Sequence, residues 1–250
     1  MKNAFLTALV ALGLLALQPL AAHADMVPVG PADLTGSRST PDASGIVAAD
    51  GWTDANGGFK ISWTIVDPQD SLSGHWEYSY TLSNADGSAP TIPGLSHWLL
   101  EVSPVITSDN VGGYIFDSDP AFIGPQTWSP PPPGKSNVNM PGDLYGIKFT
   151  PTDNTEESSY TFTFQSTQNP VWGDFYAKDG NQRQPDGSHI WATAWNSDFG
   201  TDPTSLTTDF TGWIPVPDTE STRIPEPSSL LLLVLGSSAV LGSKLRSRKK

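Results

Sequence analysis

The chain has 250 residues, with 26 acidic against 13 basic side chains, a net charge of −13 and no cysteine. That balance repels nucleic acid and anionic lipid headgroups, so neither is an expected partner. The absence of thiols excludes disulfides, thiolate zinc sites and cysteine nucleophiles, which leaves packing as the source of stability.

In chain order, Lys2 precedes an apolar run from Ala4 to Leu17, and Pro19 breaks it before Ala22-His23-Ala24. This is the pattern of an export signal over residues 1–24, with small residues Ala22 and Ala24 at the signal peptidase site and Asp25 starting the mature chain. Residues 25–214 read as one domain. The stretch from Asp25 to Ser44 is polar and rich in Pro and Gly, with an opening strand around Met26 to Val29.

Alternation then becomes plain. Phe59, Ile61, Trp63 and Ile65 interleave with polar residues, as do Trp76, Tyr78, Tyr80 and Leu82, and Tyr160, Phe162 and Phe164. A period of two, rich in aromatic and β-branched residues, predicts half-buried strands. Weaker patterns predict strands at Ser96–Val102, Tyr114–Phe116, Tyr145–Phe149, Trp172–Lys178, His189–Trp195 and Phe210–Ile214. Turn clusters such as Asn56-Gly57-Gly58, Asn84-Ala85-Asp86-Gly87 and Pro185-Asp186-Gly187 separate them. Trp128 to Asp143, with Pro130 to Pro133, predicts a long polyproline-like surface loop. The expected fold is all-β, an antiparallel β-sandwich of jelly-roll-like winding. An N-terminal signal helix and a C-terminal transmembrane helix flank it.

No catalytic constellation is legible. Glu77, Glu101 and Asp174 fall on predicted strands, and a glycosidase needs two carboxylates flanking one bond. The plainer reading places Glu77 and Glu101 on solvent faces and has Asp174 open a turn or pair with Lys178. His75, His97 and His189 lack a metal-ligand spacing. No cofactor and no metal site are expected, loosely bound calcium aside. The oxygen-rich loops Asp67–Asp70, Asp109-Asn110 and Asp117–Asp119 offer ligands but do not match an EF-hand. Trp52, Trp128 and Trp213 fall in loops or near strand ends, where exposed rings would stack on sugars. They are the candidate residues for a carbohydrate-binding alternative, and a glycan-active enzyme is the remoter one.

Residues 215–223 read as a Pro-rich tether. Beyond it come Pro225-Glu226-Pro227, an uncharged apolar segment from Leu230 to Gly242, and a basic cluster of Lys244, Arg246, Arg248, Lys249 and Lys250. As a helix the 230–242 segment reaches roughly 20 Å, short for a bilayer core of about 30 Å unless the membrane thins locally. The basic cluster marks the cytoplasmic end. These three parts, in this order over residues 224–250, resemble the PEP-CTERM sorting signal of Gram-negative bacteria. The resemblance implies processing by an exosortase at or near Pro225-Glu226-Pro227. It further implies transient inner-membrane anchoring with the domain in the periplasm, then delivery to the cell surface or an exopolysaccharide matrix. Val171–Gly180 and Ala194–Gly200 are similar to segments of other PEP-CTERM ectodomains, and that similarity implies no chemistry. From Asp25 to Glu226, seven cations stand against all 26 acidic residues, a net charge of −19.

Overall fold

A computed structural model describes residues 27–40, 45–88, 94–102, 121–131, 136–151, 158–183, 186–187, 189–204 and 206–217. Both terminal signals, and the predicted strand Tyr114–Phe116, lie outside the described residues. The strands in chain order are β1 Thr35–Ser39, β2 Ile46–Asp50, β3 Lys60–Val66, β4 Trp76–Ser83, β5 Leu95–Glu101 and β6 Ala121–Trp128. They continue with β7 Leu144–Thr150, β8 Ser159–Ser166, β9 Pro170–Gly173, β10 Phe175–Arg183, β11 His189–Asn196 and β12 Ile214–Pro217. Every pairing between them is antiparallel. The all-β expectation is met, and helix among the described residues is limited to two short 3-10 turns.

The strands form a four-stranded sheet in the order β1-β3-β4-β8, a six-stranded sheet in the order β2-β11-β10-β5-β7-β6, and a two-stranded ribbon of β12 and β9. The aromatic alternation foreseen in β3, β4 and β8 is what joins the two large sheets. Ile61, Trp63, Tyr80, Phe162 and Phe164 turn inward and are buried with Trp98, Ile147 and Phe149 of the opposite sheet. Tyr80 meets Trp98 with ring centroids 5.1 Å apart, and Phe149 meets Phe162 at 5.7 Å. Contacts of this kind add to the area term that dominates burial of large rings.

A second, smaller core lies on the other side of the six-stranded sheet. Leu99, Tyr176 and Leu144 are buried there beneath Met140. Residues 137–140, within the stretch expected as a Pro-rich surface loop, therefore cover a sheet face. Tyr176 Oη donates to Val138 O at 2.6 Å, and Asn137 Nδ2 donates to Ser129 O at 3.1 Å. Asn137 Oδ1 then accepts from His97 Nε2 at 3.1 Å, which leaves Nδ1 to accept from Ser96 Oγ at 3.2 Å.

Three strands had no legible pattern. Sequence Thr-Gly-Ser-Arg-Ser in β1 is short and polar, β2 carries two small alanines, and β6 is interrupted by Gly124-Pro125 with a register shift between Ile123 and Gln126. The predicted strand Phe210–Ile214 is displaced. Strand β12 starts at Ile214 and runs three residues into the stretch expected as tether, because Ile214 and Val216 are fully buried against the core. Pro215 and Pro217 are tolerated because β12 has one strand neighbour, β9.

Candidate functional site

The predicted strand Trp172–Lys178 breaks into β9 and β10 at Asp174, and the break organises a cluster of unusual chemistry among the described residues. At the end of β5, the Glu101 amide donates to Asp174 O at 2.9 Å. The Asp174 amide, rather than continuing a ladder, donates to Glu101 Oε2 at 2.6 Å. Gly173 permits this approach, since a Cβ there would stand 2.8 Å from Glu101 Oε2 and 2.6 Å from Val216 Cγ2. The Asp174 carboxylate is buried and fully engaged. Its Oδ1 accepts from Asn196 Nδ2 and its Oδ2 from the Gly200 amide, both at 2.6 Å. Asn196, at the end of β11, also accepts the Phe175 amide at 2.9 Å and donates to Gly212 O at 2.9 Å.

Five segments are thus tied at one end of the six-stranded sheet: β5, the β9–β10 break, β11, the turn 197–200, and the residues leading into β12. The electrostatics follow from the enclosure. Burial first, then repulsion from Asp174, pushes the Glu101 carboxyl up to about 8, although the Asp174 amide opposes this. Burial also raises Asp174, to about 7, against the Gly200 and Asn196 hydrogen bonds that favour its ionised form. Asp202 raises both carboxyls, and Asp198 raises Asp174. Both Asp174 oxygens accept hydrogen bonds that favour its ionised form, and Glu101 carries the larger upward shift, so of the two it is Glu101 that holds a proton more readily.

This corrects two expectations. Glu101 does not lie on an open solvent face, because its carboxyl is turned against the β9–β10 break. Asp174 does not pair with Lys178, because Lys178 stands beside His97 on the outer face of the sheet. Glu77 stays where expected, on the outer face of β4 opposite Gln165, in the four-stranded sheet and not in the sheet that holds the pair. Carboxyl groups raised this far are a signature of general acids. Yet the Asp174 oxygens are consumed by the protein itself. The two cavities described border the opposite end of the sheets. One, of about 20 Å³, is lined by Trp52, Phe59, Leu95 and Asp179, and the other, of about 240 Å³, by Asp54, Gly57, Gly58 and Asp86. What the arrangement does chemically is keep two buried carboxyls close enough to raise each other's proton affinity and cross-link strand ends through them.

The other candidates scatter. Trp52 is 6% exposed against Phe59, with centroids 4.7 Å apart, and Trp213 is 8% exposed with Nε1 donating to Thr201 O at 2.7 Å. Both close the ends of the core, so neither offers a ring to a sugar. Trp128 keeps part of its surface, with Nε1 donating to Gly146 O at 2.9 Å and Lys148 Nζ 5.4 Å from the ring centroid. His97 is buried in the second core, His75 is exposed, and His189 lies in β11. The loop Asp67–Asp70 is a local turn, with Asp67 Oδ1 accepting the Gln69 amide at 2.8 Å and Asp67 O accepting the Asp70 amide at 2.9 Å. The other two oxygen-rich loops lie outside the described residues. So do the residues of the signal cleavage site and the sorting tail.

The residue that sequence reasoning missed is Asn196, and its signal was faint: a polar amide ending an aromatic strand just before a Ser-Asp-Phe-Gly turn. Comparison with protein-family models, with curated proteins and with solved structures returns no match.

Proposed function

We propose that this chain is an exported surface or extracellular-matrix protein, sorted and processed by an exosortase through a PEP-CTERM tail. Its folded part is a β-sandwich of jelly-roll-like winding with no catalysis of its own. The observation that carries this reading is the ordered tail: Pro225-Glu226-Pro227, the apolar segment 230–242, and five cations at the terminus. The export signal ending at Ala24 supports it from the other end. The winding is supported by a chain that crosses between the two large sheets after β1, β2, β4 and β7, and again after β8 by way of β9 in the ribbon.

The place where the fold ends gives the tail its mechanical setting. Val216 is fully buried and Tyr80 Oη donates to Pro215 O at 2.8 Å, so the last strand is held by the core. From Pro217 to Pro225 an extended chain reaches about 28 Å at most. That holds the motif within a short distance of a rigid body, while its prolines keep the recognition segment out of a helix. Inner-membrane insertion is transient in this reading, and the processed protein lacks the span.

The test replaces Pro225-Glu226-Pro227 by three alanines in a host carrying the exosortase. The uncleaved, membrane-bound form should accumulate and surface delivery should fall. Unchanged processing and localisation would overturn the proposal. A carbohydrate-binding reading now rests on Trp128, the one candidate ring that keeps exposed surface. Quenching of tryptophan emission by exopolysaccharide, lost in Trp128→Ala, is its test.

A further inference from the structure

The outer face of the six-stranded sheet carries two lysines side by side. Alternation along β7 turns Ile147 and Phe149 into the main core, so Leu144, Gly146 and Lys148 stand on the outer side. Lys148 lies between Leu99 of β5 and Ile123 of β6, and Ile123 is 51% exposed. Two residues along β5 from Leu99, His97 lies opposite Lys178 of β10. The two lysines therefore flank β5 diagonally on one face, Lys178 buried and Lys148 half-buried.

Charges on this sheet are sorted by place. At one end Glu101 and Asp174 feel Asp198 and Asp202. The lysines feel each other. Burial lowers the proton affinity of both, and Lys148 lowers that of Lys178 further, with Asp179 opposing. The same two ammonium groups help to keep His97 neutral. Partly desolvated like charges raise each other's energy, and an anion that reaches Lys148 relieves this repulsion.

Trp128 supplies the second element. Its Nε1 donates to Gly146 O at 2.9 Å, which fixes the indole against β7, and its ring packs beside the second core. The Lys148 ammonium stands 5.4 Å from the ring centroid. A fixed aromatic ring with a cation at its side is complementary to a sugar that carries a carboxylate. The C–H face of the pyranose lies on the ring while the exocyclic carboxylate reaches the ammonium. One uronate residue spans that separation. Gln126, exposed and on the same side of β6 as Trp128, offers an amide to the sugar hydroxyls.

The remainder of the chain narrows the class of anion. The segment from Asp25 to Glu226 carries −19, which repels nucleic acid and anionic membranes. A ligand that brings ring contact together with its charge offsets that repulsion. We propose that Trp128 and Lys148 form a subsite for a uronate residue of an acidic polysaccharide, with the sugar on the ring, its carboxylate on Lys148, and Lys178 strengthening the local field. This rests on the carbohydrate-binding reading of Trp128 and adds the chemical class of the sugar.

The test uses the full chain in a detergent without sugar headgroups, at about 0.15 M salt, where charges are screened beyond about 8 Å. Tetramers of mannuronate, glucuronate and galacturonate are each compared with the carboxyl-reduced, neutral counterpart by calorimetry and tryptophan emission. At least one acidic tetramer should bind roughly tenfold tighter than its neutral counterpart. Lys148→Gln should remove that preference, while Lys60→Gln, the same charge change in the other large sheet, should keep it. Trp128→Ala should abolish binding of the acidic tetramer. Circular dichroism establishes that each variant is folded. Equal binding of acidic and neutral tetramers, or a preference that survives Lys148→Gln, overturns the uronate assignment and leaves the carbohydrate reading standing. Tetraglutamate binding as tightly as the acidic tetramer also overturns it, because the site then reads charge without sugar. Binding by none of the tetramers, or binding indifferent to Trp128→Ala, overturns both readings.

Discussion

Glu101 and Asp174 exchange backbone and side-chain bonds in both directions: the Glu101 amide reaches Asp174 O at 2.9 Å, and Glu101 Oε2 receives the Asp174 amide at 2.6 Å. Residues 73 positions apart are so joined at the end of β5. The contact ends two strands, starts a third, and through Asn196 holds the residues that lead into β12.

The first prediction concerns pH. Both carboxyls sit above their unfolded values, so the folded state favours the proton. Their contribution to stability is complete below about pH 4 and is lost as pH rises through about 8. Urea midpoints should fall between pH 5 and pH 8.5 by the equivalent of on the order of 2 kcal/mol. Glu101→Gln keeps an acceptor for the Asp174 amide and removes the titration. Its midpoint should vary less over that range and exceed the parent's at pH 8.5. An equally steep decline in the variant would show that general repulsion, rather than this pair, sets the slope.

The second concerns the covered outer face. His97 is held down to about 3, first by burial and then by Lys148 and Lys178, and the Asn137 bond opposes the shift. It therefore stays neutral in the folded chain, and its contribution, complete above about 6.5, is lost progressively as pH falls from there towards about 3. Nitrogen NMR should show an unprotonated Nδ1 and a protonated Nε2 across pH 5–8. Asn137→Ala removes both the acceptor for Nε2 and the bond to Ser129 O, and should cost about 1–3 kcal/mol in chemical denaturation. A titrating imidazole in the parent chain would contradict the arrangement.

The third concerns Arg38. Its guanidinium lies 5.0 Å from the Trp63 ring centroid and 5.8 Å from that of Trp172, while binding the 210 and 211 carbonyls. Arg38→Ala should cost about 2 kcal/mol. Amide exchange at Trp213, whose N–H donates to Phe210 O at 3.2 Å, should quicken relative to amides of β4. Equal acceleration at both places would mean that the side chain stabilises the fold as a whole rather than fastening this segment.

Local sequence was informative wherever one face of a strand is buried. In β3, β4 and β8 the period of two names the core residues directly, because a strand with one wet face must alternate. The strands it did not show are those whose identity depends on neighbours. Strand β1 is polar and short, and becomes a strand by pairing with β3. Strand β12 was expected as tether because its prolines read as extended chain, yet Ile214 and Val216 have a core to enter. The three tryptophans read as either end covers of the core or sugar platforms divide for the same reason, since Trp52 finds Phe59 and Trp213 finds Thr201 while Trp128 stays partly open.

The sequence by itself determined the all-β class, the acidic charge and the cysteine-free chemistry, together with the expected processing address at the two ends. Composition, short-range periodicity and contiguous motifs carry all of these. Only the tertiary structure decided that Glu101, Asp174 and Asn196 meet, and that residues 137–140 roof a second core. Each of those depends on which strands become neighbours, and strand order is set by the closing of long loops around a shared core, which no local pattern encodes.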